Sequence, residues 1–144
     1  MKHAISATII VFAVFVSAAA AQTEEKDAVR VPLMNYIKGH ETGQGEYFRK
    51  AFHTEGSMVW VRDGKFTSRT FAEYIAGASG KPAADEKDRL RSIEGIEIAG
   101  TAATAKIILD YPNVRFVDFM SLLKIDGEWR IVSKVFYAEP KNTR

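Results

Sequence analysis

Two β-rich runs, residues 116–125 and 128–137, meet at Asp126-Gly127 and constrain this chain more than any other segment. Asp-Gly between such runs signals a two-residue hairpin turn, because glycine takes positive φ freely and aspartate tolerates it. Ile125 then faces Glu128, and a regular register fixes every pair behind it. Phe116, Asp118, Met120 and Leu122 share one face with Trp129, Ile131, Ser133, Val135 and Tyr137. Val117, Phe119, Ser121, Leu123 and Ile125 share the other with Arg130, Val132, Lys134 and Phe136. Both faces are largely apolar, whereas an antiparallel sheet with one wet face alternates. This hairpin needs a cover on each side.

The chain opens with a basic tip, Lys2-His3, then an apolar run over residues 4–16 and small residues ending at Ala21. That pattern reads as a secretory signal peptide over residues 1–21, leaving a single domain over 22–144. A retained anchor is the alternative, but the run is short for a span, so no stable membrane anchor is expected after processing. Without cysteine there is no lipoprotein anchor, disulfide or thiolate metal site. Periplasmic or secreted placement follows as the expectation. Losing Lys2 takes the formal charge from +2 to +1. The basic residues form no dense run, which argues against a nucleic-acid partner.

Helical spacing comes first along the domain. Val29, Leu33, Tyr36, Ile37 and His40 fall near one stripe, with Pro32 inside it, so a helix is expected to begin or bend there. Glu24, Glu25 and Asp27 suit the positive end of its dipole. A second helix is predicted from about Gly45 to Phe52, then a hairpin over residues 57–68 turning on Asp63-Gly64. Thr70 caps a third helix through Phe71, Tyr74 and Ile75, and residues 81–87 form a polar loop. Two strands over 89–98 and 101–111 follow, with Leu90, Ile96, Ile98, Ala105, Ile107 and Leu109 on one face. Arg91, Ile93, Glu97, Lys106 and Ile108 take the other. The order is that of an α+β domain, helices against one face of a curved antiparallel sheet.

Four phrases carry a family likeness: residues 36–43, YIKGHETG; 48–53, FRKAFH; 118–124, DFMSLLK; and 129–134, WRIVSK. Together they resemble the putative lumazine-binding family of the nuclear-transport-factor-2-like superfamily. The resemblance implies a cone-shaped domain with three helices on the concave face of its sheet. Superfamily relatives such as ketosteroid isomerase, scytalone dehydratase and SnoaL-like cyclases do chemistry inside the cone, while others only bind.

Asp118 stands out on the face the helices are expected to cover. A carboxylate there is either a desolvated general base or a structural acid paired with a tyrosine, an amide or His53. His53 follows the second helix and is read as a proton-transfer partner at the cone mouth, or as a helix cap. The leading expectation is a binding domain for a small, partly apolar, aromatic organic ligand, lined by Tyr36, Trp60, Tyr111, Met120, Ser133 and Tyr137. The alternative is an isomerase, dehydratase or cyclase using Asp118 and His53. His40 reads as an apolar-stripe residue or cap, and Glu94 either as a second inward acid or as a strand-start residue that reaches solvent. The two mature histidines lack a matched carboxylate spacing, so neither a metal nor a cofactor is expected. Val117, Phe119, Leu123, Val132, Lys134 and Phe136 form the opposite stripe and are expected to make a homodimer interface. A third possibility is that this face recognises another protein.

Overall fold

A computed structural model describes the backbone of residues 5–141 and the side chains of residues 21–141. The segment read as a signal peptide falls, apart from Ala21, outside the described side chains. Helix α1 spans Ile5–Thr42, α2 Gly45–Ala51 and α3 Phe71–Ala76. The strands are β1 Phe52–Arg62, β2 Lys65–Thr70, β3 Leu90–Ala99, β4 Ala102–Asp110, β5 Val114–Ile125 and β6 Glu128–Pro140. They form one six-stranded sheet in the order β2-β1-β6-β5-β4-β3. Every pairing is antiparallel except β1 against β6, which is parallel.

The local signals act as expected. Asp63-Gly64 and Asp126-Gly127 both take positive φ and close the β1–β2 and β5–β6 hairpins. Thr70 accepts the Glu73 N–H while the Glu73 carboxylate takes the Thr70 N–H, a reciprocal cap at the start of α3. The stripe Val29, Leu33, Tyr36 and Ile37 lies buried on the sheet's inner face. Pro32 neither starts nor ends α1; it is fully buried inside the helix, where packing offsets the forfeited hydrogen bond. Because α1 starts upstream, Glu25 is not in its first turn. It reaches Lys124 at 2.5 Å and the Trp129 indole N–H at 3.1 Å, tying the helix to the β5–β6 turn.

Two irregularities change which residues face inward. The β5–β6 register is regular from Ile125–Glu128 back to Leu122–Ile131, then shifts so that Ser121 faces Ser133 and Met120 faces Lys134. Val132 is the extra residue of this bulge. Beyond it every side chain of β6 changes face. Lys134 and Phe136 turn into the core, where the regular register had them outside, and Ser133, Val135 and Tyr137 turn out. Likewise β3 skips Gly95, at positive φ, between the pairs Glu94–Lys106 and Ile96–Ala105. That shift brings Arg91 and Ile93 onto the face of Leu109 and Ile107 and leaves Leu90 outside. It also pairs the outward Glu94 with Lys106 at 2.8 Å, which removes it as an inward acid.

The break in β6 meets a second one in β1, whose pairing with β6 jumps between Phe52 and Ser57. Gly56 lies there, and a Cβ on it would come within 2.5 Å of the Phe71 ring and 2.7 Å of the Val132 carbonyl. Gly56→Ala should therefore destabilise the fold by about 1–3 kcal/mol, the usual range for overpacking. Urea unfolding measures it, and an unchanged midpoint would show that the strand breaks yield more easily than their packing implies.

Candidate functional site

The bulge at Val132 delivers an ammonium group to a carboxylate. Asp118 on β5 is wholly buried; its Oδ2 accepts the Tyr36 hydroxyl at 2.6 Å and its Oδ1 accepts the Lys134 Nζ at 3.3 Å. Lys134 Nζ also donates to the Tyr36 oxygen at 2.9 Å, closing a triangle between α1, β5 and β6. The ammonium lies 4.4 Å from the Phe136 ring centroid and 5.3 Å from that of Tyr36, in cation–π positions. Burial pulls the Lys134 pKa below its ordinary value, and the Asp118 charge only partly opposes this. Burial, with the same carboxylate, pushes the Tyr36 phenol well above its ordinary range and keeps it protonated.

One helical turn beyond Tyr36, His40 is held from both sides. Its Nε2 lies 3.1 Å from the Tyr74 hydroxyl of α3, and its Nδ1 lies 3.3 Å from the Tyr111 hydroxyl after β4. Its ring stands edge-on to Tyr36 at 4.6 Å and to Phe48 at 5.3 Å. Arg91, turned inward by the Gly95 bulge, donates through Nε to the Tyr111 oxygen at 3.3 Å. Glu86 holds the same guanidinium in a fork at 2.6 and 2.8 Å. Arg89 stacks over the Tyr111 ring at 4.2 Å. Burial first, then the positive charges of Lys134, Arg91 and Arg89, holds the His40 pKa well below its ordinary value. The imidazole is neutral at neutral pH.

Above His40 a cavity of about 420 Å³ opens at the mouth of the cone. Its lining includes His40, Phe48, Arg69, Tyr74, Lys81 and Arg89, and carries no carboxylate. Gly43 shapes the wall. It takes positive φ at the end of α1, and its carbonyl accepts the Gly80 N–H at 2.8 Å, docking the segment after α3. A Cβ on Gly43 would collide with the Lys81 carbonyl at 2.1 Å. The polar loop over residues 81–87 thus contributes Lys81, Pro82, Ala83 and Ala84 to the wall of the cavity.

None of the eight residues named from the sequence as catalytic or ligand-lining borders this cavity. Tyr36, Met120 and Asp118 fill the cone beneath it, and Tyr111 supports His40 from the side. Trp60 packs at 5.1 Å against Phe136 and lines a neighbouring hollow with Arg62, Thr67, Ser68, Arg69 and Glu73. Ser133 and Tyr137 lie on the outer face because of the bulge. Asp118 and His53 are not brought together: Asp118 bonds Tyr36 and Lys134, while His53 Nδ1 accepts the Glu55 N–H at 3.3 Å. Sequence reasoning placed His40 on the right stripe but missed its role. The missed signal was a histidine at i+4 from a tyrosine in the phrase at residues 36–43.

The profile of the family described as putative lumazine-binding matches residues 24–137. The chain belongs to that family. An NTF2-like protein of unknown function from Shewanella baltica OS155 is 29% identical, with 83% of this chain and 97% of that one covered and a TM-score of 0.74. A second, from Methylobacillus flagellatus KT, is 30% identical, with 81% and 93% covered and a TM-score of 0.68. Aldolase FrzH from Cladobotryum sp. is 27% identical over 122 residues, covering 83% of this chain and 95% of that protein. These likenesses agree with the α+β, NTF2-like fold, and they place the site in a fold that hosts more than one function.

The depressed pKa of His40 has a consequence for stability. Below about pH 6.5 the unfolded chain protonates this histidine while the native state resists, so stability falls as pH drops. Equilibrium unfolding between about pH 7 and pH 5 should show a slope approaching 1.4 kcal/mol per pH unit from this one proton. The slope should flatten in His40→Asn. An equal slope in wild type and His40→Asn would show that His40 charges freely in the fold.

Proposed function

We propose that this chain is an exported small-molecule-binding domain whose ligand sits in the mouth cavity over His40 and Tyr74. The observation that carries the reading is a cavity of about 420 Å³ set directly on a hydrogen-bonded histidine–tyrosine cluster. That volume is within the range of small-molecule sites, about 300–1,000 Å³, and Phe48 and Tyr74 give it an aromatic wall. Tyr36, Asp118 and Lys134 act from beneath as positioning residues, with Tyr111 and Met120 as packing support.

Protein recovered from the periplasm should begin at Gln22 and release a small organic molecule on denaturation, read by mass spectrometry. Ala83→Trp, which fills the cavity from its wall, should remove that molecule without lowering Tm. Equal recovery from wild type and variant would sink the assignment of the cavity.

A second reading is supported by the likeness to an aldolase: the site transfers protons at a carbon next to a carbonyl. Such chemistry needs a donor to the developing oxyanion, and the Tyr74 hydroxyl, backed by the neutral His40, offers one at the cavity wall. This replaces His53 as the partner imagined from the sequence. Asp118→Asn separates the two readings. Deuterium exchange into the recovered molecule should collapse under the enzyme reading, while affinity should change little under the binding reading.

The outer face supports a two-fold dimer. Phe119 is 54% exposed, and it pairs with Val135, which pairs in turn with Val59, giving an apolar row across three strands. Val117, Leu123 and Val132 extend the patch, while Lys134 and Phe136, turned inward, leave it. Light scattering should give twice the chain mass, and Phe119→Glu should halve it. A wild-type monomer at micromolar concentration would rule the dimer out.

A further inference from the structure

Proton accounting along Arg91–Tyr111–His40–Tyr74 determines which hydroxyl the cavity meets. A neutral imidazole carries one N–H, so it donates to one tyrosine and accepts from the other. In one arrangement Nδ1–H donates to Tyr111 and the Tyr74 hydroxyl donates to Nε2. The Tyr111 oxygen then accepts from both Arg91 and His40, and its own proton is left over. Tyr111 is buried at 6% exposure under the two guanidinium groups of Arg89 and Arg91. That proton would have to turn toward the two guanidinium groups or compete for the Glu86 carboxylate, whose two oxygens already hold Arg91, and a buried donor left unpaired costs about 1–3 kcal/mol.

The opposite arrangement leaves nothing stranded. Arg91 donates to the Tyr111 oxygen, the Tyr111 hydroxyl donates to His40 Nδ1, and Nε2–H donates to the Tyr74 oxygen. The spare proton is then that of Tyr74, which borders the cavity. Burial raises the Tyr111 pKa, but Arg91 and Arg89 over its ring pull it back down and so strengthen its hydroxyl as a donor, which favours the same direction.

We infer that the Tyr74 hydroxyl is the donor the cavity presents to its ligand, and that the ligand is an organic anion whose carboxylate or enolate oxygen accepts it. The charge of the ligand follows from the lining: Arg69, Lys81 and Arg89 border the cavity and no carboxylate does. Arg89 is partly neutralised by Asp85 at 2.8 Å and Arg69 donates to the Glu73 carbonyl at 2.9 Å, while Lys81 adds an ammonium at the rim. His40 and Tyr111 are positioning residues, because they act through Tyr74. The inference rests on the reading of the mouth as a small-molecule site and specifies what that site recognises.

Nitrogen NMR of the histidine-labelled full chain tests the direction without any ligand. His40 should carry its proton on Nε2, with Nδ1 unprotonated, and Tyr111→Phe should shift the balance toward Nδ1–H. A wild-type proton on Nδ1 overturns the inference. Benzoate, a small planar carboxylate, is the probe for the ligand class. It should bind the wild type and bind Tyr74→Phe about tenfold more weakly, as for the loss of one hydrogen bond. The variant keeps the ring, and its unfolding midpoint confirms that it folds. Equal binding to both proteins, or none to the wild type, overturns the inference. Recovery of a neutral molecule from the periplasmic protein, with benzoate unbound, would overturn the anion and leave the small-molecule reading standing.

Discussion

The Asp118–Lys134 pair, with Tyr36 closing the triangle, is the interaction on which the rest of the interior depends. Both charges are buried, at 0% and 4% exposure, and each has given up its hydration. Their mutual attraction and the Tyr36 hydrogen bonds return part of that penalty. Removing one partner would leave an unpaired buried charge, a loss of about 3–5 kcal/mol, whereas an apolar pair of similar volume is often neutral or better. Stability alone therefore gives no reason for a salt bridge at this depth. Its reach does: Lys134 lies 5.3 Å from the ring centroid of Tyr36, which stands edge-on to His40, and 6.0 Å from that of Tyr74, which hydrogen-bonds the same histidine.

Two single-residue insertions build this interior. Without the Val132 bulge, Lys134 would project from the outer face and Asp118 would face the helices with no cation. Without the Gly95 bulge, Arg91 would point outward and Tyr111 would lose its donor. Each bulge turns a cation that an alternating pattern assigns to water into the core. The apolar hairpin with two covered faces was thus partly an effect of reading a bulged strand as a regular one.

This explains what was legible. Turn chemistry at the two Asp-Gly pairs, the Thr70 cap and the α1 stripe are local, and each is encoded within a few residues. Asp118 was legible too, because it lies on β5, which carries no inserted residue. Val132 is a β-branched apolar residue like Ile131 before it, so nothing local marks it as the extra residue. Gly95 was a readable warning, since glycine inside a strand often marks a bulge. His40 was legible as a stripe residue and illegible as a site, for its partners lie 34 and 71 positions away on α3 and after β4. Long-range pairing is decided by register, and the register was what the bulges changed.

The electrostatics of His40 limit what the mouth can do. It sits in the last turn of α1, where the helix dipole favours an imidazolium by about 0.3–1 kcal/mol. Burial and three nearby cations oppose that field, and they win. A ligand at this site therefore meets a neutral imidazole acting through a tyrosine hydroxyl, with positive charge confined to Arg69, Lys81 and Arg89 around the wall. An imidazolium on the floor would carry a proton on both nitrogens and donate to both tyrosines, so it would fix no single donor direction. A neutral ring between two phenols makes the direction a structural property, set by Arg91 at one end and the cavity at the other. Attraction and orientation are thus assigned to different residues, and the two bulges hold those assignments apart.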